Sequence, residues 1–124
     1  MNNKPLISVI LSYHNENPDF FYNSINSILN QSYKNFEFII IQDSGKFLKL
    51  PDDKRIKFLK NERRLGLGLS MNKAINIAKG EFIARQDSDD ISIYNRLEVQ
   101  LKFMLNNPMF DLVGSSALII NNEN

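Results

Sequence analysis

The chain of 124 residues has no cysteine and a single histidine, His14. Without cysteine there is no disulfide framework, no thiolate metal site and no cysteine nucleophile. A lone histidine also excludes a three-histidine zinc site, and in a loop it reads as a surface or pocket-rim residue. Charge of one sign is lacking too. Fifteen basic side chains face 14 acidic ones, a net charge of +1, which argues against a large nucleic-acid footprint. No apolar run approaches the roughly 18 residues of a membrane span, and no signal-peptide core follows Met1, so a location in the reducing cytoplasm is expected. The pair Gly66 and Gly68 lacks the third glycine of a dinucleotide fingerprint and does not follow the first strand, which leaves a nicotinamide site weakly supported.

What is present suits one globular domain: 43% hydrophobic and 23% charged residues in a length typical of a single core. Residues 6–11, Leu-Ile-Ser-Val-Ile-Leu, form an apolar run rich in β-branched side chains, as expected of a strand buried on both faces. Pro18 suits a helix first turn, and Phe21, Ile25, Ile28 and Leu29 then recur at helical spacing over 19–30. Residues 36–41 read as a second buried strand and 56–59 as a short third. Met71, Ala74, Ile75 and Ala78 define one face of a second helix, with Gly80 as its stop. Residues 82–85 read as a fourth, buried strand. Leu97, Leu101, Met104 and Leu105 define a third helix, closed before Pro108, and further strand is expected within 111–120. Phe20, Phe21, Phe36, Phe38, Phe58 and Phe82 are assigned to the core. Alternating strands and helices predict an α/β fold, Rossmann-like, with a mostly parallel sheet and helices on both faces.

In such a sheet the loops after the strands share one edge, where ligands bind. Three of these loops are polar: 12–17, 42–45 and 86–90. The last carries Asp87, Asp89 and Asp90, close enough to raise one another's pKa values and to be relieved by a hard divalent cation. A solvated acidic turn that caps the next helix is the competing reading, and position alone does not separate the two. Tyr13, Asp43, Asp87 and Asp89 can share one crevice: a ring to stack on a base, a carboxylate to read a nucleoside, and carboxylates to hold a metal against a diphosphate. Basic residues between Lys54 and Arg64 read first as a solvated face and second as an anion pocket. Asp87 and Asp89 with Glu98 echo an EF-hand loop, but Ile91 at a ligand position and Ser92 for the turn glycine reject it.

The ordered series Ile7-Ser8-Val9-Ile10-Leu11-Ser12-Tyr13-His14-Asn15-Glu16, Ser27 to Glu37, Gln42-Asp43-Ser44, Asn72-Lys73-Ala74-Ile75, Lys79 to Ala84, Asp87-Ser88-Asp89-Asp90 and Asn95-Arg96-Leu97 resembles the N-terminal, nucleotide-binding part of a family 2 glycosyltransferase with the GT-A fold. The resemblance covers almost the whole chain. It implies that Ser12 and Tyr13 contact the nucleobase, Asp43 reads the nucleoside, and Asp87 contacts ribose or the metal's water shell. It implies that Asp89, with Asp87, ligates Mn²⁺ or Mg²⁺ bridging the diphosphate of a nucleotide sugar, with UDP-sugars favoured. Arg64 and Lys73 are weaker candidates for phosphate contacts.

Gln42 stands where the family often has a second aspartate, and Ser12 where it often has proline, which leaves base preference open. In inverting members a carboxylate base activates the acceptor. The resemblance places it past the matched stretch, so the catalytic base is expected beyond Asn124 and no residue of this chain is assigned to that role. The chain is therefore expected to be one domain, 1–124, of a longer enzyme of surface polysaccharide synthesis acting on a saccharide or lipid-linked acceptor, with no transmembrane segment of its own and no nucleic-acid partner. Such an enzyme would work in the cytoplasm or at the inner membrane face, and an exposed sheet edge could support a homodimer. The rival is a non-catalytic nucleotide-binding module of a polysaccharide assembly pathway. A phospho-acceptor receiver domain is disfavoured because 12–14 offer no acidic pair.

Overall fold

The computed structural model describes residues 4–121. Elements follow the order β1 (Ile7–Tyr13), α1 (Pro18–Leu29), β2 (Phe36–Gln42), β3 (Ile56–Lys60), α2 (Leu67–Ile77), β4 (Phe82–Arg85) and α3 (Arg96–Asn106). The four strands form one sheet in the order β3-β2-β1-β4, and every pairing is parallel. Every residue of β1 and β2 is buried, as their unbroken apolar runs require of central strands covered on both faces. α1 and α3 pack on one face over Val9, Leu11, Phe38 and Ile40, and α2 packs on the other over Ile10, Ile39 and Ile41. The expected α/β architecture is the observed one.

Helix α1 starts where Asn17 accepts hydrogen bonds from the N–H groups of Asp19 and Phe20, with Pro18 in the first turn. Both features supply what a helix start lacks. It buries Phe21, Ile25 and Ile28. Helix α3 is started differently. Its N-cap Asn95 makes no side-chain bond. Instead Gln31, fully buried just past α1, accepts from Leu97 N at 3.0 Å and donates to Ile93 O at 2.7 Å. One amide thus fixes α3 against α1.

Several expectations are corrected by tertiary placement. β4 is an edge strand and only half-buried: Phe82 and Ala84 turn to the core while Ile83 is 44% exposed. Phe20 and Phe58 are exposed, the first on the outside of α1 and the second on edge strand β3. Ile75 and Leu105 face outward, and Met71 with Ala74 form the buried face of α2. Residues 111–121 form no strand. A strand exists only with a hydrogen-bonded neighbour, and none of the four takes this segment up.

Gly80 does not stop α2, which ends at Ile77 when Ala78 turns extended. Its role is close approach: a Cβ there would meet Ser8 N at 2.5 Å and Leu6 O at 2.8 Å. At the same end of the sheet the buried carboxylate of Glu37 accepts from Ser8 Oγ, Lys79 N and the Lys57 ammonium, while Gly80 N donates to Ser8 Oγ. This network ties the exit of α2 to three strands. Gly80→Ala is expected to cost about 1–3 kcal/mol of stability in chemical denaturation, since backbone rather than a mobile side chain must yield.

Asp53 precedes β3 and pairs with Arg55 at 2.7 Å, and the guanidinium in turn lies over the Phe36 ring. Hydrogen bonds from Arg55 hold the Asp53 carboxyl down at about 2, below its ordinary 3.8. A carboxyl depressed in the folded state stabilises fully above its unfolded value and loses that contribution as pH falls through its folded value. Asp53→Asn keeps the turn acceptor and removes the charge. It is expected to cost about 1–2 kcal/mol at neutral pH, with the difference from the parent closing between about pH 4 and pH 2 in denaturation curves.

Candidate functional site

The parallel register sets Tyr13 beside Gln42 and Gln42 beside Lys60, with Ile10 beside Arg85. The loops after all four strands therefore leave from one sheet edge, where an open α/β sheet binds its ligands. Their order along that edge is β3, β2, β1, β4. With strands about 4.8 Å apart, the loops after β2 and β4 start roughly 10 Å from each other.

Asp43 is the first residue past β2 and is 4% exposed. Its Oδ1 accepts from Asn61 Nδ2 at 2.9 Å and Leu65 N at 2.7 Å, and its Oδ2 from Gly66 N at 2.8 Å. Burial works against the charge, but the donors from Leu65, Asn61 and Gly66 outweigh it and hold the carboxyl below its usual range. Gly66 is also the N-cap of α2, so the positive end of that helix faces the carboxylate. Asn61, 1% exposed, donates to Ser70 Oγ as well and accepts from Lys73 Nζ at 2.9 Å. Lys60, Asn61, Glu62, Arg63, Leu65 and Lys73 line a shallow depression of about 280 Å³ beside Asp43.

The two rings at the end of β1 are placed differently: Tyr13, expected in the crevice, is buried, and His14 lies on the rim as expected. Tyr13 is 1% exposed, packs on Phe21 at 4.5 Å between centroids, and its hydroxyl accepts from Leu48 N at 3.5 Å. It belongs to the core and offers no stacking surface. His14, the next residue, is half-buried on the rim. Its Nδ1 lies 2.8 Å from Asp43 O and its Nε2 3.1 Å from Asn15 Nδ2. A carbonyl only accepts, so Nδ1–H donates to it and Nε2 accepts from the amide, which defines the tautomer of the neutral ring. The close fit depends on Gly45, whose φ is +79° and whose missing Cβ would sit 2.5 Å from Asn15 Oδ1 and 2.7 Å from His14 O. Ser12 is buried within β1.

The acidic loop is built from below. Gln86, 2% exposed, donates to Ser24 Oγ and Asp90 O, and its Oε1 accepts from Ser92 Oγ and Arg96. Ser24 also donates to Asp87 O at 2.8 Å. Arg96 adds a bond to Arg85 O. Burial lowers its pKa against the charges of Asp90 and Asp87, and the guanidinium is held by neutral oxygens of Gln86, Ser92, Gln100 and Arg85. Asp87 pairs with Arg85 at 2.8 Å, whereas the side chain of the exposed Asp89 has neither hydrogen bond nor ion pair among the described residues. Asp90 is raised by burial, then by Asp87 and Asp89, against Arg96 and Arg85. The loop is tied to the loop after β1 by Ser88 Oγ, which donates to Glu16 Oε1 at 2.7 Å.

Among the described residues no three histidine or carboxylate side chains converge on one point. One or two carboxylates suffice where a hard cation completes its shell with phosphate oxygens and water. Asp89, outward and unpaired, with Asp87 two residues away, fits that pattern. Arg64 is exposed in the loop before α2, and Lys73 meets the site through Asn61. The catalytic base expected beyond Asn124 lies outside the described residues, as does Asn124 itself. Asn61, Gln86 and Arg96 are the structural centres of the two loops, and sequence reading gave none of them a role. Only Arg96 carried a signal, as part of the motif that follows the aspartates.

Residues 8–124 match the family described as Glycosyl transferase family 2. An uncharacterized glycosyltransferase of Methanocaldococcus jannaschii is 46% identical over 94% of this chain and 43% of its own length. An Escherichia coli UDP-Glc:alpha-D-GlcNAc-diphosphoundecaprenol beta-1,3-glucosyltransferase is 40% identical over 95% of this chain and 48% of its own. The chain thus spans about half the length of these curated relatives. Among solved structures, a mannosyltransferase of Pyrobaculum calidifontis in complex with GDP-Man and Mn²⁺ superposes with a TM-score of 0.70 at 18% identity, over 83% of this chain and 33% of that one. The TarS protein of S. aureus superposes at 0.68 with 23% identity, over 82% and 20%. The fold is that of GT-A glycosyltransferases, and the chain belongs to glycosyl transferase family 2.

Proposed function

We propose that this chain carries the donor half of a metal-dependent, inverting glycosyltransferase, which moves a sugar from a nucleotide diphosphate to a saccharide or lipid-linked acceptor in polysaccharide synthesis. What carries the reading is one sheet edge with a hydrogen-bonded nucleoside end, His14 and Asp43, and an outward acidic end, Asp87 and Asp89, joined through the β1 loop. The separation of the two ends suits a nucleoside with its diphosphate. The relatives support the class: the E. coli enzyme is named for UDP-Glc and a diphosphoundecaprenol acceptor, and the Pyrobaculum structure holds GDP-Man with Mn²⁺.

In this reading His14 replaces Tyr13 as the ring against the nucleobase, with the Ser12 backbone beside it. Asp43 acts chiefly by holding Asn61 and the 65–66 backbone, which form the wall of the nucleoside end. Arg63, Arg64 and Lys73 keep that wall positive. Lys73 thereby shifts from a phosphate contact to a support for Asn61. Asp89 and Asp87 would hold Mn²⁺ or Mg²⁺, which as a Lewis acid would stabilise charge on the departing nucleoside diphosphate. Arg96 keeps the acidic loop in place before any cation arrives. The acceptor-activating base and the acceptor site belong to the remainder of the enzyme, beyond Asn124, and the working location is the cytoplasmic side of the membrane.

Thermal shift with UDP, GDP and their sugars, with and without Mn²⁺, tests this reading. A stabilisation of about 2.7 kcal/mol is expected at a hundredfold excess over the dissociation constant. Asp89→Ala should remove only the metal-dependent part and His14→Ala most of the rest. No response to any nucleoside diphosphate would end the donor reading. Arg96→Gln is expected to cost about 2 kcal/mol of stability even without ligand, from its lost bonds to Gln86, Ser92 and Arg85. An Arg96→Gln protein as stable as the parent would show that the loop does not depend on that guanidinium.

A further inference from the structure

On the outer edge of the sheet two phenylalanines meet in the open. Phe58 of β3 is 38% exposed and Phe47, in the loop after β2, is 58% exposed. Their rings cross edge to face with centroids 5.9 Å apart. Exposed lysines neighbour them along the chain. Lys46 lies next to Phe47 and Lys49 two residues on, and Lys60 shares a face of β3 with Phe58 by strand alternation. None of the three has a carboxylate partner, since the ion pairs among the described residues are Arg55–Asp53, Lys57–Glu37 and Arg85–Asp87. Residues 46–64 hold eight of the 15 basic side chains and three of the 14 acidic ones. A chain of net charge +1 therefore concentrates its positive charge at β3, a terminal strand.

Single exposed apolar residues are ordinary on protein surfaces. An aromatic pair neighboured by unpaired lysines combines two properties that one surface satisfies together. Exposed apolar side chains such as Phe bury at the headgroup–acyl boundary of a bilayer, and ammonium groups beside them meet anionic phosphates. A purely polyanionic partner would use the lysines and leave the rings without a role. We propose that the β3 edge and the 46–49 loop form a docking face for an anionic membrane surface. Phe47 enters the headgroup layer, and Lys46, Lys49 and Lys60 meet lipid phosphates. The same loop begins at Asp43, so docking holds the ligand edge of the sheet beside the lipid. The inference needs no bound nucleotide and stands or falls apart from the donor reading.

Co-sedimentation of the chain with vesicles tests it, using phosphatidylcholine alone and phosphatidylcholine with about one-third phosphatidylglycerol. The chain should sediment with the anionic vesicles, stay in solution with the neutral ones, and be released by high salt. Each lysine is worth about fivefold in partitioning, so K46Q/K49Q should weaken binding roughly thirtyfold. Among the described residues neither side chain makes a hydrogen bond and only their backbones are used, by Asn15 and Tyr22, so the melting temperature should not move. F47S should weaken vesicle binding while lowering the melting temperature only slightly, by the loss of its contact with Phe58. Failure to bind anionic vesicles, equal binding to neutral ones, or F47S binding as tightly as the parent would overturn the proposal. Heparin capture as strong as vesicle capture and unaffected by F47S would mark the face as a general polyanion surface and overturn it too.

Discussion

A carboxylate with almost no access to water stays charged only if donors converge on it. Asp43 meets that condition with two backbone N–H groups and one amide. Those donors come from the loop between β3 and α2, so satisfying one charge decides where that loop runs and where α2 begins. It also fixes Asn61, and through Asn61 the ammonium of Lys73. The carbonyl of the same residue holds the His14 ring. Much of the ligand edge is thus arranged by the need of a single buried side chain.

The same device recurs elsewhere with different chemistry. Glu37 gathers Ser8, Lys57 and the end of α2 at the opposite edge of the sheet. Gln31 binds α1 to the start of α3, and Gln86 binds Ser24 of α1 to the acidic loop. Apolar packing alone would let helices and strands slide against one another. A buried polar group left unmatched costs about 1–3 kcal/mol, so each of these side chains penalises a shift in register. The Oε1 of Gln42, at the end of β2, is the one buried side-chain oxygen among the described residues without a protein partner.

The fold was legible because its central signals are local. β1 and β2 are continuous runs of β-branched and aromatic residues, and α1 carries both its cap and its spacing within a dozen positions. The acidic loop and Asp43 stood out in the sequence because polar residues directly after a buried strand have few structural reasons to be there. The errors arose where burial depended on a distant element. Ile83 and Phe58 lie on edge strands, and no alternation pattern says which strand will be outermost. Tyr13 and His14 are adjacent and both cyclic; which ring turns inward depends on Phe21 from α1. Residues 111–121 are apolar enough for a strand but find no partner.

From sequence alone came the class of fold, the sheet edge at which the polar loops gather, the family likeness and the presence of an acidic loop after the fourth strand. These rest on periodicity and order along the chain, which a single sequence contains in full. Tertiary structure alone decided that Tyr13 turns into the core, that Asp43 is sealed by Asn61 and the start of α2, and that Arg96 is bonded to the acidic loop through Gln86. It also left Phe47 and Phe58 outside. Each of these outcomes is set by contacts between residues far apart in sequence, whose energies depend on which surfaces meet and so are written in no local stretch.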